Sequence, residues 1–312
     1  MEDATQAGEL PKAPVWRRWL RRLGPWAVAG TILAVLLTKY SLEEILEEMG
    51  RGNWAGLAPI VLGLAVATLL VMALADWLVI RGLLGEIGYF AVLRGKAATA
   101  LLNVVHYAAG HGSYAVWIAR RSGSDALTAG GVVLFIMASE LTSVSVVTTI
   151  GVWLGGGGVP TAIQLTAPTV AAVFLFLKAI GPMRLLGDRL PRVFHPWSDL
   201  PPWRAFAQVL VRVGQIYTVS FGIWLGMRVF GVDAPLWACA VYVPVMLLVG
   251  AMPINVGGFG AVQAVWLLFT PWADGERILA FAFLWQLMFG IAMVLRGLPF
   301  VRKIIAEIDT NQ

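Results

Sequence analysis

An all-α, polytopic membrane protein is the fold class this sequence predicts, and three observations predict it. Of the 312 residues, 59% are hydrophobic and only 13% are charged, with a mean hydropathy of +0.77, a balance far too apolar for a soluble domain. Apolar runs of roughly 20 residues, the length that crosses a hydrocarbon core, recur from end to end. Between them the loops alternate in charge: residues 1–24, 81–96, 118–125, 178–204 and 296–312 are each net positive, whereas 39–54, 231–234 and 271–277 are net negative and 155–160 carry no charge. The positive set is expected on the cytoplasmic side. The expected architecture is therefore about six to eight transmembrane helices with two re-entrant helical hairpins and an inverted repeat. It sits in a bacterial-type inner (plasma) membrane, multi-pass, with both termini cytoplasmic.

In chain order, residues 1–24 form a basic cytoplasmic segment, and Trp16, Trp19 and their neighbouring arginines suit an anionic membrane face. One integral membrane domain follows over 25–300, in halves of about 25–181 and 203–300, with a cytoplasmic tail over 301–312. The first span is expected over Pro25 to Thr38. Ser41 then caps an amphipathic helix whose Leu42, Ile45, Leu46 and Met49 share a face. The second span, Ala55 to Ile80, ends at Trp77 and Arg81, as an interface requires. The apolar piece Ala97 to Ala119 is interrupted by Gly110-His111-Gly112-Ser113. Arms of about twelve residues reach roughly 18 Å, short of a core of about 30 Å, so a hairpin entering from the cytoplasm fits better than two spans. Further spans are expected over Ala126 to Leu154, Thr161 to Ile180, Ala205 to Phe230 and Ile278 to Leu295, with a basic, proline-rich connector between the halves.

The second interruption, Pro253-Ile254-Asn255-Val256-Gly257-Gly258-Phe259-Gly260, lies deep in an apolar stretch. Proline lacks a donor, and three glycines in four residues carry a large entropy cost, so the helix is expected to break there. Such a break survives in a membrane only where protein covers it or a wet cavity faces it. A new helix is expected from Ala261, its free N–H groups facing inward, and another from Gly112-Ser113 on the opposite side. Two positive helix ends converging near the midplane would hold a lipid phosphate. The competing reading is that these glycines only let helices pack closely.

Among charged residues, Glu140 stands mid-span beside Ser139, Thr142 and Ser143, and Arg212 is its natural partner. That pair is either a gate or substrate contact, or a tie between two helices. Asp76, beside Trp77, reads as interfacial. His106 and His111 are poorly spaced for a metal and have no local carboxylate or thiol to complete a shell, so His111 is read as a hydrogen-bonding group. The single cysteine, Cys239, allows no disulfide framework. No Walker motif and no cluster of acids and bases is present, so neither nucleotide hydrolysis nor enzymatic chemistry is expected, and no cofactor or metal. The basic balance is explained by topology rather than nucleic acid.

The stretch Pro253 to Ala264, with the looser Asn103 to Tyr114 and Arg120-Arg121, resembles the paired motifs of the lysylphosphatidylglycerol synthase transmembrane region, the flippase-like family. The resemblance spans roughly residues 15–300. It implies a protein that binds or translocates a polar-headed or anionic lipid, with membrane lipids, chiefly anionic phospholipid, as its partners. In multiple peptide resistance factors such a domain is fused to a soluble aminoacyltransferase, so the resemblance implies lipid handling rather than lipid synthesis. The family's Arg-Glu after the last glycine is Val262-Gln263 here, and its Glu-Arg in the span after the first hairpin is Glu140-Leu141. Those two departures favour the alternative function, an accessory or assembly subunit of a larger membrane complex with a lipid-filled scaffold role; as partners, a homo-oligomer or such a complex is expected. The expected lipid-binding set is Gly110, His111, Gly112, Ser113, Glu140, Arg212, Asn255, Gly257, Gly258, Gly260 and Gln263.

Overall fold

The computed structural model describes residues 15–85, 87–105, 107–155, 161, 164–165, 168–173, 191–250, 255–256 and 259–309. Among these the regular structure is helical apart from one two-stranded ribbon, and four helices are long and apolar enough to cross a membrane. In order they are α1 (Val15–Lys39), α2 (Leu42–Arg51), α3 (Trp54–Leu84), α4 (Tyr89–Val105), α5 (Tyr107–Ser122), α6 (Ala126–Gly155), α7 (Pro191–Asp199), α8 (Pro202–Val229) and α9 (Leu236–Gly250). A ribbon of β1 (Asn255–Val256) and β2 (Phe259–Gly260), then α10 (Ala261–Trp266), a 3₁₀ turn (Leu267–Phe269) and α11 (Gly275–Asp309) complete it. The four long ones are α3, α6, α8 and the first part of α11. Most of the span expected over Thr161 to Ile180 lies outside the described residues.

The basic N-terminal stretch and the expected first span are one continuous helix, α1. On α2, the Ser41 hydroxyl accepts the Glu44 amide at 3.3 Å, the N-cap its sequence implies. Ile45 turns into the bundle while Leu42 and Leu46 stay exposed, so α2 lies along a surface. Asp125 does the same for α6, accepting the Leu127 and Thr128 amides at 3.0 and 3.1 Å.

The spine is the antiparallel pair α3 and α8. Gly56 lies against Val229, Leu64 against Gly222, Asp76 against Arg212 and Gly82 against Arg204, a constant register over both lengths. The small residues set the separation. A Cβ on Gly222 would stand 2.8 Å from Leu64, and one on Gly56 would stand 2.8 Å from Val229.

Contacts gather the loops into two ends. At one, Glu48 of α2 accepts from Arg277 at 2.7 Å, Phe230 packs on Gly52, and the rings of Trp237 and Trp272 lie 5.7 Å apart. The hydrogen bond from Arg277, opposed by partial burial, holds the Glu48 carboxyl below its ordinary range. At the other end Leu200 and Arg204 cover Gly82, the Val193 carbonyl abuts Gly131, and Trp197 packs on Phe135 with ring centroids 5.0 Å apart. Among the described residues, the first end carries the net-negative stretches 39–54, 231–234 and 271–277, and the second the net-positive stretches 81–96, 118–125 and 191–204. Each end has its own apolar core, one around Phe269, Phe281 and Trp285, the other around Trp117, Phe135 and Ile136.

Two segments return to the end they leave. Helices α4 and α5 pack against each other, the Trp117 ring filling the space over Gly95, so both outer ends lie with the basic loops. From the acidic end, α9 runs inward to Gly250, and the ribbon and α10 lead back to Trp272 beside Trp237. The order long helix, short paired segment, long helix thus occurs twice, as α3, α4–α5, α6 and as α8, α9–α10, α11.

The structure corrects where the first of these turns. Gly110, His111, Gly112 and Ser113 are internal to α5, which begins at Tyr107, while α4 ends at Val105. Ser113 caps nothing, because its hydroxyl donates to the Gly110 carbonyl of its own helix at 2.8 Å. The arms are 17 and 16 residues, not about twelve, because α4 starts at Tyr89 and carries Arg94 and Lys96 inside the helix.

Candidate functional site

Charge is concentrated where the four helices α3, α4, α6 and α8 meet. Asp76, 0% exposed, receives Arg212 Nη2 on Oδ1 at 2.5 Å and Lys96 Nζ on Oδ2 at 2.8 Å. Arg212, itself 1% exposed, reaches Glu140 with Nη1 at 3.2 Å and the Gln215 amide oxygen at 3.2 Å. The Lys96 ammonium also stands 4.9 Å from the centre of the Tyr114 ring, which stacks on Trp117. Burying these charges costs several kcal/mol per ion, and only the close pairing offsets it. The serine and threonine hydroxyls of α6 do not share in this. Ser139, Thr142 and Ser143 donate to carbonyls one turn back on their own helix at 2.7 to 2.8 Å.

Glu140 differs from Asp76 in one respect that matters. Its side chain is 27% exposed, and what it faces is a cavity of about 360 Å³. The cavity lies between the two returning segments: α4 supplies Lys96 and Ala100 on one side, while α9 and α10 supply Met246, Val262 and Trp266 on the other. Its polar wall is Lys96, Glu140, Arg212 and Arg296, with Thr68, Gln215 and Gln286 beside them, and the rest is apolar, with four methionines able to adapt to an irregular guest. Leu141 of α6 and Leu247 of α9 line it and are also 39% and 36% exposed.

Arg296, on α11, donates to the Ala65 carbonyl and to the Thr68 hydroxyl. Among the described residues no carboxylate pairs with it, and its Nε has no partner.

Of the residues the sequence marks, Glu140 and Arg212 meet, and both line the cavity. The glycine pair does not converge. Gly112 is exposed within α5 with open space where a Cβ would sit, and neither it nor Gly260 lies on the cavity wall. The helix opening at Ala261 has only six residues. The Gly260 amide next to it is taken by the Gln263 side-chain oxygen at 2.7 Å, so Gln263 closes a turn rather than contacting a ligand. Asn255 pairs with Gly260 in the ribbon. Gly257, Gly258 and His106 lie outside the described residues. His111 is buried on α5, and among the described residues no group of three His, Cys, Asp or Glu is placed to hold a metal.

Asp76 is not interfacial but the centre of the network. Lys96 and Arg296 are missed altogether by sequence reading, because each stands at the boundary of an apolar run and reads there as the first or last loop residue. The usable signal was pairing: a carboxylate inside an apolar helix demands a cation at its own depth, and the near-equal lengths of the second and fifth spans allow Asp76 to meet Arg212. No protein-family model matches the sequence, and no curated protein matches it.

Proposed function

We propose that this protein binds an anionic, polar-headed membrane lipid in the cavity between its two returning segments and carries it across the bilayer without nucleotide hydrolysis, as the sequence resemblance to the flippase-like family implies. The observation that carries this reading is the cavity's division into a cationic wall and an apolar one. Its volume of about 360 Å³ is at the lower end of the roughly 300–1,000 Å³ of small-molecule sites. That accommodates a headgroup and leaves two acyl chains outside, along the surface that Leu141 and Leu247 share with the lipid. Arg296, with no paired carboxylate among the described residues, is expensive in such surroundings unless something anionic completes it. In this reading the basic end of the bundle is cytoplasmic, in a plasma membrane, and α4–α5 and α9–α10 are re-entrant from opposite faces.

The test is transbilayer movement of a fluorescent phosphatidylglycerol in liposomes containing the purified protein. Wild type accelerates it, and Ala100→Phe, which fills the cavity from α4, abolishes it while melting within a few degrees of wild type. Equal rates for liposomes with and without protein would refute transport and leave the accessory-subunit reading, in which the same cavity holds a structural lipid.

A further inference from the structure

The charges around the cavity count out to a specific number, and from it we infer that Glu140 sets the charge of the headgroup the site accepts, restricting it to a singly anionic phosphodiester. This rests on the function proposed above and names its substrate class. Three cations, Lys96, Arg212 and Arg296, stand in the polar wall. Two carboxylates answer them: Asp76 behind the wall, bound to Lys96 and Arg212, and Glu140 within it, bound to Arg212. Among the described residues that line the cavity or are joined to its wall by an ion pair, one positive charge is left over, and it resides on Arg296.

The two carboxylates are not equivalent. Asp76 is 0% exposed and held on both oxygens by cations, so it is a fixed part of the scaffold. Glu140 is held only through Arg212 Nη1 and borders the space a headgroup would enter. A singly charged phosphodiester brings the buried charge to zero. A phosphomonoester carries about −1.5 to −2 at neutral pH and would leave an uncompensated negative charge facing Glu140 in apolar surroundings, the arrangement buried ion sites tolerate least. A zwitterionic head brings no net charge and leaves Arg296 unanswered. Replacing Glu140 by an amide of the same shape raises the surplus to two, and the preferred headgroup then becomes the dianion.

The experiment is native mass spectrometry of the purified chain after exchange into detergent micelles containing equal amounts of phosphatidylglycerol, phosphatidate and phosphatidylcholine at pH 8. Wild type and Glu140→Asp retain phosphatidylglycerol over both competitors. Glu140→Gln reverses the order of the first two, shifting the phosphatidate-to-phosphatidylglycerol ratio at least tenfold. Soluble glycerophosphoglycerol, a phosphodiester with the same single charge, added to the micelles separates a lipid site from a free-phosphate site, since a lipid site keeps its phosphatidylglycerol in its presence. If Glu140→Gln retains phosphatidylglycerol in the wild-type ratio, the inference is overturned while the lipid-binding reading stands. If wild type retains no anionic lipid at all, both fail.

Discussion

The two returning segments solve the same problem with different chemistry. Helices α4 and α5 are nearly equal in length, and the segment is fastened by charge, Lys96 reaching Asp76 at 2.8 Å on the neighbouring span. The α9–α10 segment is lopsided, fifteen helical residues going in and six coming back, with a short ribbon at the turn. Residues 236–270 contain no Asp, Glu, Lys or Arg, so this segment is fastened by packing and by the amide of Gln263. The difference shows in the cavity between them: α4 gives it a cation, Lys96, whereas α9 and α10 give it no charged or polar side chain, and the rest of both walls comes from the four long helices. In the proposed function, an amphiphile's two halves would be matched because the two halves of the protein are not alike.

The largest effect expected from testing this contrast is at Asp76. Asp76→Ala leaves Lys96 facing Arg212 with no carboxylate between them, and about 3–5 kcal/mol of stability should be lost, as for other buried ion pairs deprived of one partner. Adding Lys96→Met to that variant should restore part of it, because the stranded ammonium is gone. Thermal melts in detergent of both single variants and the double give the coupling. Strictly additive losses would mean that the two do not depend on each other, and the charge-fastened side of the comparison would fall.

A smaller effect is expected on the other side. Gln263→Leu strands the Gly260 amide, at a cost of about 1–3 kcal/mol, with the retained lipid unchanged because the Gln263 side chain is absent from the cavity wall. Gly260 itself, at φ +127°, is where the turn needs a residue without a Cβ. Loss of bound lipid in Gln263→Leu out of proportion to its stability would show that the second segment supplies polar contacts to the headgroup after all.

Much of the architecture is legible in the residues alone. Helix amphipathicity and the Ser41 cap place α2 as observed, and the loop charges sort into the two ends that the packing brings together. The pairing of Glu140 with Arg212 follows from the cost of an unpaired charge at that depth. What is not legible depends on register. Gly110 and Gly112 look like a break, but in apolar surroundings a backbone leaving the helix has no other partner, so glycine alone does not interrupt it. The long side chains of Lys96 and Arg296 reach inward from positions that look like loop, and only the alignment of α3 with α8 and of α4 with α11 reveals what they face. Asp76 looks interfacial because of its neighbour Trp77, which does anchor locally through its indole N–H to the Ile87 carbonyl at 3.0 Å. The carboxylate one residue earlier points a different way.

The most direct test of the central claim is the lipid that co-purifies with Arg296→Gln, measured by native mass spectrometry beside wild type and beside Arg121→Gln, which removes an exposed charge from the end of α5. If the cavity holds an anionic headgroup at its surplus cation, wild type and Arg121→Gln retain one anionic phospholipid and Arg296→Gln retains less than a tenth as much at comparable stability. Equal retention in all three proteins would contradict the account, since the lipid would then be held by the basic surface and not by the cavity.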